Sequence, residues 1–408
     1  MTRTIELAAK TALLVGISAA MIFIAEMTLR LAGIAYPSWY RPDEILGYAL
    51  RPHAAGWHRD ESRTFVQISS QGFRDMEHAL AKPQGTLRIA VLGDSFTEAM
   101  QVEQHEAFWS VIKEELVECT DKPIEVLNFG VGGYGTAQEL LMLRERALAF
   151  DPDIVVLAFF TSNDVRNNSR VLEGNPLRSY YTLSGTTLLL DDAFRREPEF
   201  QRRSTPWYSL WTAILNRSRI LQGTALAKRT VEGFLHARMA GKPIQWEHNP
   251  PLPTEQGVEW NEPGIETWTF LPPATEITRE AWAVTERLVT QIQEDVVAHG
   301  ARFAVIVFSS GIGVHPDMPL RHRFQVQIGA SNLMYGEERI ADLGAKSGFP
   351  VLPLTPPLRA FAEENSVFLH GSDATGKGHW NVEGHRLVGE LTSTFLCEKF
   401  AEDIFSTP

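Results

Sequence analysis

The stretch Arg88-Ile-Ala-Val-Leu-Gly-Asp-Ser-Phe-Thr-Glu-Ala99 decides how the chain is read. Ile89 to Leu92 is a short, continuous apolar run of the kind that parallel sheets bury on both faces. The run stops at Gly93, and Ser95 then stands where a parallel strand hands over to a helix. Open α/β sheets bind ligands at that carboxyl edge, and a helix starting there offers free N–H groups to an anion. Ser95 is therefore a candidate nucleophile, although Thr97 replaces the second glycine of the Gly-x-Ser-x-Gly elbow. A turn followed by a helix cap is the structural alternative.

Working outward, two more apolar runs deliver polar or glycine residues to the same expected edge. Ile124 to Phe129 ends in Asn128-Phe-Gly-Val-Gly-Gly-Tyr-Gly135, whose glycines let backbone N–H groups come close to a ligand. Ile154 to Phe160 ends in Thr161-Ser-Asn-Asp164. Asn163 there either caps a helix or donates its amide to a developing oxyanion. Thr278 to His299 reads as helix, Arg302 to Phe308 as a fourth strand, Ser331 to Ser347 as helix and Pro350 to Leu354 as a fifth strand. In the last informative stretch, Asp373 to His385, Asn381 caps a helix and leaves His379 on a glycine-flanked loop ahead of it. A histidine in that position can reach a site built from strand ends, whereas His385 lies inside the helix and reads as structural. The two histidines lack the i, i+4 spacing of a helical zinc pair, so no metal and no cofactor are expected.

The chain has 408 residues, 44% hydrophobic and 22% charged, with a formal net charge of -12. That composition suits a soluble catalytic body. The absence of a Lys/Arg-rich run disfavours a nucleic-acid partner. Thr11 to Ala25 is apolar and continues to Ile34 past Glu26 and Arg30, which brings it near the roughly 20 residues needed to cross a bilayer. An uncleaved signal anchor is the favoured reading, ahead of a cleaved signal peptide and a buried core helix. The division expected is residues 1–10 cytoplasmic, 11–34 transmembrane, 35–85 an irregular extension with a short strand-like Thr64–Ile68, 86–170 and 276–400 the catalytic domain, and 171–275 an insertion. The insertion holds Trp207, Trp211, Trp246, Trp260 and Trp268 and several prolines. It reads as packing on the core, or as a lid or aromatic wall for sugar rings.

Taken together, Gly93-Asp94-Ser95-Phe96, Asn128-Phe-Gly-Val-Gly-Gly133, Ser162-Asn163-Asp164 and His379-Trp-Asn381 resemble the four ordered blocks of the SGNH, or GDSL-like, hydrolases of membrane-anchored bacterial type. The resemblance implies a three-layer α/β/α fold: a doubly wound, five-stranded parallel sheet (flavodoxin-like) with an N-terminal transmembrane helix. It implies Ser95 as nucleophile and His379 as base, with an oxyanion hole made by the Ser95 N–H, the Gly133 N–H and the Asn163 side chain. Asp94 is expected to be a structural hydrogen-bonding residue. One position departs: Gly376 stands where the family has an aspartate three residues before the histidine, so Asp373 is the tentative third member of a triad. Failing that, a backbone carbonyl would orient the ring. In a sheet of order 2-1-3-4-5 the first and last helices share a face, which brings Cys119 and Cys397 together as a disulfide or as two buried thiols.

What the resemblance implies for function is a serine esterase acting on acyl, foremost acetyl, esters of a cell-envelope glycan or lipid. The alternatives are an O-acyltransferase serving a polysaccharide hydroxyl and a non-catalytic glycan-binding scaffold. The expected location is the inner membrane, single-pass, with the body on the periplasmic side. A membrane acyltransferase is a conceivable partner.

Overall fold

The computed structural model describes residues 2–240, 260–262, 264–373 and 375–401. Its centre is β1 (Leu87–Gly93), buried along its whole length. Four more parallel strands complete the sheet: β2 (Ile124–Asn128), β3 (Ile154–Phe159), β4 (Arg302–Val307) and β5 (Val351–Pro353). The order is β2–β1–β3–β4–β5, as expected. The register pairs Val91 with Asn128, Gly93 with Ala158 and Val307 with Phe159, so the carboxyl ends of β1, β2, β3 and β4 finish near one another.

Alternation along β1 sends Ala90 and Leu92 to one face and Ile89 and Val91 to the other. On the first face lie the helices Thr136–Glu145, Glu276–His299 and Tyr335–Ser347, which contribute Leu140, Trp282, Leu288 and Ile340. On the second lie Phe108–Glu115, Thr355–Asn365 and Val382–Phe400, with Ile112, Leu358, Val388 and Leu396. Each large aliphatic or aromatic side chain fully buried there stabilises the fold by about 1.5–3 kcal/mol. Gly389 lets the first and last helices of the second face approach closely, since a methyl group there would stand 2.4 Å from Val111 Cβ. That approach brings Cys119 and Cys397 to a Cα separation of 6.1 Å, and they form a disulfide.

The N-terminal helix runs Thr2–Leu31, starting well before residue 11 and ending before residue 34. The apolar pattern marks only the stretch suited to lipid, whereas Glu6 and Lys10 are good helix formers that carry the backbone helix further. Its Arg3–Leu31 segment is long and apolar enough to cross a membrane, and none of that segment's most apolar window is buried inside the protein.

Residues 35–85 are more regular than their sequence suggested. They hold two hairpins, Tyr40–Asp43 with Gly47–Leu50 and Ala55–His58 with Thr64–Gln67. The region after residue 171 contributes a hairpin, Tyr180–Ser184 with Thr187–Asp191, and the helices Pro198–Arg203, Pro206–Arg217 and Arg219–Ala240. Of its tryptophans, Trp260 and Trp268 are buried, Trp207 and Trp211 are exposed, and Trp246 lies outside the described residues.

Candidate active site

Ser95 opens a one-turn helix, Ser95–Glu98, directly after β1. Asp94 caps it, accepting the Phe96 N–H at 2.9 Å. Gly93 is required for the tight hand-over, because a Cβ there would stand 2.2 Å from Thr97 Oγ1. Burial is the main cause of an upward shift at the Asp94 carboxyl, opposed by the Asn163 and Phe96 hydrogen bonds. Asp94 therefore acts as the structural residue expected of it.

His379 reaches Ser95 from the loop ahead of the last helix, with Nε2 2.7 Å from Ser95 Oγ. That loop is pinned at several points. The His379 carbonyl accepts the Gly371 N–H at 2.8 Å, and His370 pairs with Trp380 in an isolated bridge. The His370 ring lies against the Gly378 carbonyl at 2.7 Å and Ser309 Oγ at 3.2 Å. Burial pushes His370 down to about 4, so it stays neutral. The carboxylate of Glu262 accepts four N–H groups, from Trp260 at 2.9 Å, Gly311 at 3.1 Å, Ile312 at 3.3 Å and Gly378 at 3.3 Å. The Phe96 ring packs on the imidazole of His379 with centroids 4.7 Å apart.

The acid beside His379 is Glu61, not Asp373. Glu61 Oε1 lies 2.5 Å from His379 Nδ1, and its Oε2 accepts the His379 backbone N–H at 3.0 Å. Asp373 is exposed and accepts from Thr375 Oγ1 at 2.5 Å and Thr375 N at 3.3 Å, so it stabilises its own turn. A carboxylate only accepts, so Nδ1 carries the proton and Nε2 is left to accept from the Ser95 hydroxyl. Burial disfavours the charged form of each partner, but the hydrogen bond and opposite charge win. The Glu61 carboxyl is held below its ordinary range and the His379 imidazole is raised above its own.

Glu61 sits in the turn of the second hairpin, which Ser62 and Thr64 tie to the Gln101 carbonyl. No spacing rule connects residue 61 to residue 379. The available signal was the glycine at position 376, which leaves the histidine without its usual local acid.

Asn163 is oriented for donation. Its Nδ2 gives one hydrogen to Asp94 Oδ2 at 2.8 Å, and its Oδ1 faces Asn167 Nδ2 at 3.4 Å. An amide nitrogen has two hydrogens, so a second donor remains. Gly133 takes a left-handed conformation, φ +75°, with its carbonyl held by Arg178 Nη1 at 2.7 Å. Its neighbour Gly132 borders the cavity at Ser95. That cavity measures ≈ 220 Å³ and is also lined by Trp39, Tyr40, His58, Glu98 and Met100. Its aromatic wall thus comes from the first hairpin and the segment before it. Among the described residues, no tryptophan of the insertion lines it. At its floor, Tyr40 donates to Glu98 at 3.0 Å, and burial raises the Glu98 carboxyl to about 7. His385 is buried elsewhere, accepting the Phe108 N–H at 3.3 Å, and is structural as expected. No group of three or more His, Cys, Asp or Glu side chains suited to a metal occurs among the described residues.

The sheet order, the serine after the first strand and the histidine ahead of the last helix decide the architecture. The fold is a three-layer α/β/α arrangement around a doubly wound, five-stranded parallel sheet. Solved structures similar to this chain include the acetyl xylan esterase AlAXEase, at 12% identity and a TM-score of 0.36, covering 76% of this chain and 100% of that one. A lipase/acylhydrolase from Enterococcus faecalis is 14% identical with a TM-score of 0.36, covering 77% and 96%. A two-domain esterase active on acetylated mannans is 10% identical with a TM-score of 0.35, covering 79% and 51%. No family model and no curated protein matches the chain.

Proposed function

We propose that this SGNH-like chain is a serine esterase that removes short acyl groups, acetyl foremost, through an acyl-enzyme. The observation that carries the reading is the unbroken chain from Glu61 through His379 to Ser95. Ser95 Oγ attacks the ester carbonyl while its proton passes to His379 Nε2. The imidazolium formed is stabilised by Glu61. The oxyanion is received by the Ser95 and Gly133 N–H groups and the free hydrogen of Asn163 Nδ2. Collapse of the tetrahedral species breaks the ester C–O bond, and His379 returns the proton to the leaving alcohol. Water then repeats the sequence on the acyl-enzyme and releases the acid.

A cavity of ≈ 220 Å³ lies below the roughly 300 Å³ usual for small-molecule pockets, which supports a short acyl group. Trp39 and Tyr40 beside Ser95 support a sugar ring as the alcohol part, hence an acylated cell-envelope glycan; an acylated lipid is the other candidate. The same aromatic wall also supports a second reading, O-acyl transfer to a polysaccharide hydroxyl in place of water. A membrane acyltransferase would be the partner supplying the acyl donor in that case. The apolar N-terminal helix and the Cys119–Cys397 disulfide support a single-pass inner-membrane protein with its body in the oxidising periplasm.

The test is release of 4-nitrophenol from its acetate and butyrate esters by the full chain in detergent. Acetate should be preferred, and Ser95→Ala and His379→Ala should each abolish turnover. Turnover surviving in both variants would end the esterase reading, and none in the folded wild type would favour the glycan-binding scaffold. Loss of acid release on adding an acetyl-accepting glycan would select transfer.

A further inference from the structure

The Pro206–Arg217 helix poses a physical problem that the catalytic site does not explain. It is 12 residues long and none of its residues is fully buried. A helix that short is marginal in water unless an apolar phase covers one face. Tyr208, Thr212, Leu215 and Asn216 form its half-buried inner side. The opposite side carries Trp207, Leu210, Trp211 and Ile214, at i, i+3, i+4 and i+7, with 77%, 50%, 51% and 45% of their surfaces exposed. Four large apolar side chains in one stripe form a patch of the kind that marks an interaction surface.

The position of this helix identifies the cover. Its C-terminal end is bonded to the last two turns of the Thr2–Leu31 helix, where that helix leaves its apolar stretch. Arg30 Nη2 donates to the Arg217 carbonyl. The Glu26 carboxylate accepts from Ser218 Oγ at 3.0 Å, Arg219 N at 3.0 Å and Ile220 N at 3.1 Å. The Ser38 N–H donates to Asn216 Oδ1 at 2.8 Å. These contacts hold the C-terminal end of the stripe at the level where the polar pair Glu26–Arg30 ends the apolar stretch. Arg217 and Arg219 stand at that junction, beside the Glu26–Arg30 pair, and add positive charge of the kind that favours lipid phosphates. Tryptophan and leucine on one side of such a helix are the residues that enter the boundary between headgroups and acyl chains.

We infer that the Pro206–Arg217 helix lies flat in the bilayer leaflet nearest the catalytic body, with Trp207, Leu210, Trp211 and Ile214 immersed beside the anchor. The body is then held by two contacts, a span and a surface helix. Its height and orientation over the membrane are fixed, so Ser95 works at a set distance from the lipid surface.

The full chain, reconstituted in phosphatidylethanolamine–phosphatidylglycerol vesicles, provides the test. The difference in fluorescence between wild type and the Trp207→Phe/Trp211→Phe variant reports these two indoles alone. Phenylalanine keeps the stripe apolar, and flotation with the vesicles checks the anchor separately. The expected result is a difference spectrum quenched at least about twofold by acyl chains brominated near the headgroup, less by chains brominated near the bilayer centre, and little by aqueous iodide. A floating protein whose two indoles are quenched by iodide and not by brominated lipid overturns the inference while leaving the anchor intact. Protection from both quenchers also overturns it, and assigns the stripe to a protein surface, either a second copy or a partner.

Discussion

Replacing Glu61 by glutamine tests the chemistry where it is most exposed to refutation. The amide keeps the size of the side chain but removes its charge. Its NH₂ group can donate to Nδ1 of His379, which favours the tautomer with the proton on Nε2, facing Ser95. In that state the ring has no acceptor for the hydroxyl proton 2.7 Å away. Loss of a hydrogen bond to a charged group costs about 1.5–3 kcal/mol. A wrong tautomer in this arrangement lowers kcat by as much as roughly 10⁴. We therefore expect kcat/KM for 4-nitrophenyl acetate to fall by about 10²–10⁴, with Glu61→Asp retaining more activity than Glu61→Gln. The pH profile gives a second signature. His379 must be neutral to accept the proton, and in the wild type it is raised above its ordinary value by Glu61. The acid limb of kcat/KM should therefore move to lower pH in Glu61→Gln, since the neutral ring is reached sooner. Asp373→Ala should retain wild-type rates. Wild-type rates with an unmoved acid limb in Glu61→Gln would refute the argument, and a collapse in Asp373→Ala would restore the acid read from the sequence.

Further expectations follow from the same geometry. Asn163→Ala should lower kcat by roughly 10²–10³ through loss of one oxyanion donor, with a folded protein by circular dichroism; near-normal turnover would remove Asn163 from the site. Cys119→Ser should lower unfolding free energy by about 2–4 kcal/mol, and a reducing agent should bring the wild type to the same Tm while leaving the variant unchanged. Burial raises Glu98 and Glu262 to about 7 and Glu337 to about 8, and His379 is also raised, so the native state holds more protons than the unfolded chain between pH 6.5 and 8. His315, His370 and His385 are lowered from 6.5, so they oppose this at the lower edge of the window, and their effect fades as pH rises above it. Stability should therefore fall as pH rises from 6.5 to 8, less steeply in Glu337→Gln, which cannot ionise; a Tm that rises across the window in the wild type would contradict this.

Much of the fold was legible because parallel strands buried on both faces must be apolar throughout. Ile89–Leu92, Ile154–Phe159 and Phe303–Val307 carry that pattern without interruption. The residues that follow β1, β2 and β3 were equally visible, since each lies immediately next to its strand. Of the two hairpins of the extension, only the strand at Thr64–Gln67 showed in the sequence. The other three strands are four residues long, too short for a clear periodic signal, and prolines interrupt the region. The hydrogen-bonded N-terminal helix, Thr2–Leu31, does not coincide with the apolar stretch 11–34 read from the sequence, because hydropathy reports apolar character and not helix length.

By itself the sequence determined the apolar strands and the candidate serine and histidine that follow and precede their helices. The order of the sheet came from the resemblance of four sequence blocks to a known family, and the pairing open to the two cysteines followed from that order. Only the tertiary structure decided which acid turns the imidazole, because a hairpin near residue 61 must first dock on the loop carrying residue 379. It alone supplied the wall of Trp39 and Tyr40 at Ser95 and set the exposed stripe of the Pro206–Arg217 helix beside the end of the apolar N-terminal helix. Contacts between residues hundreds of positions apart depend on how whole surfaces pack, and no short window of sequence encodes them.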